Sequence, residues 1–232
     1  MTPKVLIAVM SHTVHADVPE HASYVRLEAA IRDTWLPRTK NALVYDYAPA
    51  NALRYDSDRR TLFVPYTQND LKAVGTDKTV KAFRWMADNL QFDFLFRTNL
   101  GSFVYEDRLI EWLIDKPLTR YYAGYYEKVR YASGAGILLS HDMVRAIGNS
   151  SAVPRIVDDA AILAIMTRLG VEVQPGKRMN FKNGSVTEHV APDQSQPDRS
   201  RPHYHWRLRS ADRNADVAMM HQLASELTPK QP

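Results

Sequence analysis

The sequence predicts an α/β fold: one mixed, mostly parallel sheet flanked by helices. Three observations predict it. Short apolar runs alternate with segments of helical periodicity through the first half of the chain. Phe92, Phe94 and Phe96 alternate with Asp93, Leu95 and Arg97, which is strand spacing at period two. The 232 residues suit a single domain with one sizeable core.

The elements follow in order. Residues 4–10, Lys-Val-Leu-Ile-Ala-Val-Met, read as a buried first strand, and the polar stretch 11–21 as a loop. Ser23 is placed to cap a helix to about Trp35, with Tyr24, Leu27, Ile31 and Trp35 as its stripe; Leu36-Pro37 ends it. Residues 42–45 and 61–64 read as strands. Gly75-Thr76-Asp77 reads as a turn into a helix that carries Val80, Phe83, Ala87 and Leu90 on one face. A helix over 106–115 and strands over 121–126 and 136–139 come next. Ser140 caps a helix that stops at Gly148. A helix over 158–169 ends at Gly170, and 171–173 read as a strand. Residues 182–204, rich in Pro, Ser, Asp and Gln, are expected to form a long loop, the larger part of a basic loop over 182–211. Residues 212–227 close the chain as an amphipathic helix with Val217, Met220, Leu223 and Leu227 inward.

Composition narrows the classes. There is no cysteine, which excludes a disulfide framework and a thiolate metal site. No apolar run reaches the roughly 20 residues of a membrane span, and the N-terminal run reads as a strand and not as a signal peptide. A cytoplasmic location is the expectation. The net charge of +4 is concentrated late. Lys177, Arg178, Lys182, Arg199, Arg201, Arg207, Arg209 and Arg213 outnumber the acids of the same stretch, and His189, His203 and His205 lie among them. Such a stretch suits an anionic ligand, nucleic acid or a solvated surface. In a parallel sheet ligands bind beyond the carboxyl ends of the strands. Ser11, Asp46 and Arg97-Thr98-Asn99 all lie at such ends.

Three segments, in order, resemble the family of the β-1,3-galactosyltransferases and Fringe, which are glycosyltransferases of the GT-A (Rossmann-like) type. The first joins 5–11 to Arg26-Leu27-Glu28-Ala29-Ala30-Ile31-Arg32-Asp33-Thr34-Trp35. The second joins Asp77-Lys78-Thr79-Val80-Lys81 to the strand ending Arg97-Thr98-Asn99-Leu100-Gly101-Ser102-Phe103. The third joins Ser133-Gly134-Ala135-Gly136 to Val157-Asp158-Asp159-Ala160. The likeness spans about residues 4–175, and the string 97–103 is also similar to one in divergent glycosyltransferase-like proteins of viruses and bacteria. There is one departure. The family holds a divalent cation on an Asp-x-Asp motif, and this chain has Asn99-Leu100-Gly101 there.

The resemblance implies an inverting transfer of a sugar from a nucleoside diphosphate, with UDP as the nucleotide. Transfer needs a base for the acceptor hydroxyl and charge stabilisation on the departing diphosphate. Asp159 matches the family's base, with Asp158 as the alternative; both also read as helix N-terminal acids. With no carboxylate pair, the diphosphate falls to guanidiniums: Arg207, Arg209 and Arg213 are the candidates. Ser11, Lys81, Arg97, Asn99, Gly134 and Gly136 are expected around the donor. No cofactor is required on this reading. Manganese held by His203 and His205 is the weaker alternative. The acceptor is either a glycan or a hydroxymethylated base in DNA. A non-catalytic module that binds a nucleotide sugar is the competing function.

Overall fold

The computed structural model describes residues 1–12, 22–48, 52–65, 71–126, 131–151, 156–190 and 202–226. An eight-stranded sheet runs in the order β3-β4-β2-β1-β5-β8-β7-β9. Its strands are β1 (Val5–Met10), β2 (Ala42–Ala48), β3 (Arg54–Asp56), β4 (Thr61–Pro65), β5 (Phe94–Asn99), β7 (Tyr122–Gly124), β8 (Gly136–Ser140) and β9 (Gln174–Pro175). The centre, β4-β2-β1-β5, is parallel. β3 and β8 are antiparallel to their inner neighbours, so the sheet is mixed as predicted.

Alternation along β1 sorts the core into two layers, because successive strand residues face opposite ways. Val5, Ile7 and Val9 pack against Leu27 and Ile31 of α1 (Ala22–Asp33). Leu109, Trp112 and Leu113 of α3 (Glu106–Leu113) and Met220 and Leu223 of α6 (Arg213–Glu226) complete that layer. Leu6 and Ala8 face the other layer, with Phe83 and Met86 of α2 (Leu71–Asn89), Val144 and Ile147 of α4 (His141–Gly148), and Ile162 and Ile165 of α5 (Asp158–Arg168). Burying each such aliphatic side chain contributes about 1.5–3 kcal/mol. α2 begins at Leu71 and passes straight through Gly75, where the sequence suggested a turn. A glycine inside a helix costs about 1 kcal/mol, less than the packing of Phe83 and Met86 returns.

A second sheet, order β11-β10-β12-β6, corrects the expected loop. It contains β6 (Ser102–Val104), β10 (Lys177–Lys182), β11 (Ser185–Val190) and β12 (His205–Leu208). β10 and β11 are an antiparallel hairpin across Asn183-Gly184, whose φ values are 50° and 84°. Two left-handed residues in succession make the turn whose twist matches a hairpin, and Asn-Gly is the dipeptide that adopts it. Only 183–184 and 202–204 of the expected 182–204 loop are described as non-strand, and 191–201 lie outside the described residues.

The second sheet has an apolar and a polar face. Met179, Phe181, Trp206, Leu208 and Phe103 share one face by register, and Phe181, Leu208 and Phe103 join the core. Arg178, Asn180, His205, Arg207 and Ser102 share the other, which turns toward the end of the main sheet.

Candidate active site

β1 and β5 run side by side, Val9 beside Thr98 and Met10 beside Asn99, so both end at one edge. β8 starts there, with Gly136 opposite Thr98. The start of α5 brings Asp158 and Asp159, and the polar face of the second sheet brings its cations. A cleft of about 140 Å³ opens at this edge, lined by Met10, His12, Tyr24, Asn99, Leu100, Gly101 and Arg207.

The two acids sit in different company. Arg97 is 1% exposed, and its guanidinium donates to Asp158 Oδ2 as an ion pair. Arg97 Nε also donates to the Tyr45 hydroxyl at 3.3 Å. Asp158 Oδ2 accepts from the Thr79 hydroxyl at 3.2 Å. Burial lowers the Arg97 pKa, but Asp158, Tyr45 and Asp159 more than offset it and hold the guanidinium above its ordinary value. Asp159 instead accepts backbone N–H groups, Gly134 at 3.1 Å on Oδ2 and Ala160 at 2.9 Å on Oδ1. Asp158 is therefore tied to a buried cation, while Asp159 is oriented by neutral donors.

Arg207 is the centre of the cation group. Its guanidinium donates to Asn99 Oδ1 and, at 3.5 Å, to the Gly101 carbonyl. Neither partner carries a charge. Burial, followed by the Arg178, Arg213, Arg209 and Arg97 guanidiniums, pushes Arg207 down to about 9. Arg213 pairs with the buried Asp216 and donates to the Leu208 carbonyl at 3.2 Å. Arg178 donates to the Ser133 hydroxyl at 2.9 Å and lies 4.3 Å over the Tyr125 ring. His205 Nε2 lies 3.2 Å from the Ser102 hydroxyl. Burial, then Arg178 and Arg207, lowers the His205 pKa well below its usual value and keeps the ring neutral.

Gly101 shows how the departure from Asp-x-Asp is filled. A Cβ there would meet Arg213 Nη2 at 2.7 Å, the Leu208 carbonyl at 2.8 Å and Arg207 Nη1 at 3.0 Å. Two guanidiniums occupy the place where the resemblance implies a carboxylate and its cation. Among the described residues no three His, Cys, Asp or Glu side chains converge on a metal position. This donor set does not fit a divalent cation, because like charges already hold the space.

Some predicted residues lie apart from that group. Ser11 is buried, with its hydroxyl 2.9 Å from both Glu28 Oε2 and Asp46 Oδ2, and its carbonyl accepts from Lys78 Nζ. Lys81 pairs with Asp77 one turn back on α2, at 2.7 Å. Arg209 is exposed, just beyond β12. His203 lies 3.2 Å from Glu188 on the neighbouring hairpin. Gly136 backs onto the His205 ring, where a Cβ would lie 2.8 Å from Nδ1.

Sequence reasoning missed Lys78, Arg178 and Asn180. Lys78 is fully buried, 4.4 Å over the Tyr47 ring and 3.8 Å from Asp46. Burial lowers its pKa to about 8, Asp46 and Asp158 oppose that drop, and Arg97 adds to it. An unfolded lysine titrates near ~10.4. Between those values the unfolded chain holds a proton that the folded protein has released, so the lysine's contribution to stability rises with pH across that window. Between about pH 7.5 and 9.5 the wild type is expected to gain ~1–2 kcal/mol relative to Lys78→Met. Denaturant titrations at the two pH values read this, and parallel profiles would refute it.

No family model matches this chain, and no curated protein matches it in sequence. Among solved structures, it is similar to the apo-form glycosyltransferase GlyE of Streptococcus pneumoniae TIGR4, at 13% identity and a TM-score of 0.37. That likeness covers 75% of this chain and 45% of GlyE, so the chain spans less than half of that structure. Among the described residues no helix is long and apolar enough to cross a membrane.

Proposed function

We propose that this protein is an inverting glycosyltransferase that takes a sugar from a nucleoside diphosphate, UDP, and uses guanidiniums in place of a metal ion. The observation that carries the reading is Arg207: a partly buried cation at the carboxyl edge of the sheet, bonded to neutral groups and crowded by other arginines. Such a group is poised for an anion, and a diphosphate supplies one with the geometry a guanidinium matches. Arg213 lies beside it over Gly101. His12 and Tyr24, with ring centroids 6.1 Å apart, offer flat surfaces to the base at the far side of the same cleft.

In this reading Asp159 takes the proton from the acceptor hydroxyl. The acceptor oxygen attacks the anomeric carbon from the face opposite the diphosphate. The bond from that carbon to the phosphate oxygen breaks, its electron pair leaves with UDP, and Arg207 and Arg213 meet the new charge. Asp158 is the positioning acid: it fixes Arg97 and leaves Asp159 to do the proton transfer.

A thermal-shift titration tests the proposal. At ligand concentrations near 100 Kd, UDP and a UDP-hexose should raise Tm by about 5–10 °C. The shift should be equal in EDTA and in manganese. A shift confined to manganese overturns the guanidinium role, and no shift with any nucleotide overturns the transferase reading.

A further inference from the structure

Asn180 sits in the middle of β10, 2% exposed, and both its Oδ1 and its Nδ2 are buried without a hydrogen-bond partner. Each such orphan costs about 1–3 kcal/mol. A fold tolerates that cost readily where a ligand completes the bonds. The register sets Asn180 beside Arg207 on β12 and two residues after Arg178, all on the polar face of the second sheet, and Arg207 lines the cleft.

We propose that Asn180 reads the transferred sugar: its amide exchanges hydrogen bonds with a hydroxyl of the donor's hexose while Arg207 on the next strand holds the adjoining phosphate. The inference rests on the nucleotide-sugar reading above. The chemistry of the amide selects the ligand class. A carboxamide offers two donors and an acceptor. A phosphate satisfies the donors but repels the carbonyl oxygen, whereas a hydroxyl both gives and accepts. The neighbouring strands lie ~4.8 Å apart. A ligand bridging them therefore presents a hydroxyl and an anion a few ångströms apart, the arrangement of a sugar whose phosphate and hydroxyl are on adjacent carbons. Asn180 thus separates the donor from the free nucleotide, which Arg207 alone cannot do.

Calorimetric titration of UDP, UDP-glucose, UDP-galactose and UDP-N-acetylglucosamine into the wild type, Asn180→Ala and Asn180→Ser tests this. The tightest UDP-sugar should lose roughly 10-fold in affinity in both variants, the cost of one or two lost hydrogen bonds, while UDP stays within about 2-fold. Melting of the unliganded variants should not fall below the wild type. Unchanged UDP-sugar affinity overturns the sugar role and leaves the nucleotide site standing. Equal losses of UDP and UDP-sugar in folded variants also overturn it, because they place Asn180 on the nucleotide or in the frame. A wild type without affinity for any of the four probes overturns both this inference and the function it rests on. Asn180→Ser keeps a small polar group at the position and carries the test if Asn180→Ala does not fold.

Discussion

Asp159→Asn is expected to lower sugar transfer by about 10²–10⁴-fold while UDP affinity stays unchanged, because it removes the proton acceptor and nothing that touches the diphosphate. The adjacent substitution behaves differently. Asp158→Ala strips the ion-pair partner from Arg97, which is 1% exposed, and leaves a buried cation with only the more weakly acting Asp159 to offset it. That costs about 3–5 kcal/mol. For a domain of this size the loss lowers Tm on the order of 10 °C. Neighbours in the chain thus separate into one that changes turnover and one that changes stability. Single-turnover rates and melting curves on both variants check it. A fast Asp159→Asn enzyme, or an Asp158→Ala variant that melts like the wild type and turns over slowly, reverses the roles.

Arg207→Met is expected to weaken UDP binding by about 10–100-fold, since a charge-assisted hydrogen bond contributes about 1.5–3 kcal/mol. The same change should leave the unliganded protein as stable as the wild type or more so. Arg207 is a desolvated cation beside Arg178 and Arg213, with Asn99 and the Gly101 carbonyl as its partners. A methionine of similar length removes that desolvation and repulsion. Opposite signs for affinity and stability distinguish a ligand-binding arginine from a structural one. Arg207→Lys should recover little, because an ammonium cannot present the paired donors of a guanidinium. If the methionine variant melts well below the wild type, Arg207 is an anchor of the fold and the diphosphate belongs elsewhere.

The main sheet was legible because its strands are governed by simple rules. β1 reads as an apolar run, β5 carries Phe94 and Phe96 at period two, and α1, α2 and α6 carry their stripes at helical spacing. The strand-end rule also set Arg97 and Asn99 at the carboxyl end of β5, where Asn99 lines the cleft. The second sheet was hidden for a physical reason. β10 offers only a short alternation, Met179 and Phe181 between Arg178, Asn180 and Lys182, and its apolar face opens on Lys177, which covers the Trp112 ring, so charge masks the strand. β11 is exposed at Ser185–Glu188 and has no buried stripe to read. One local signal was present: Asn183-Gly184 marks a hairpin on its own, but the composition of the following residues argued for a loop. Lys78 and Asn180 could not be found from sequence, because their burial arises from Tyr47 and β12, far away along the chain.

The pairing of Asn99 with Arg207 joins residues 108 positions apart, and that of Ser102 with His205 joins residues 103 apart. Contacts of such long range form only after a large loop has closed, so they belong to the late, slow part of folding. The parallel pairings of β1 with β2 and of β2 with β4, such as Ile7 with Ala42 and Val44 with Thr61, are of much shorter range and can assemble before β12 docks beside β6. On the proposed function, nucleotide capture is then expected as the last event of refolding. A molecule caught before β12 docks is expected to lack any grip on UDP, so that ligand affinity would report completion of the chain's topology more strictly than secondary-structure content does.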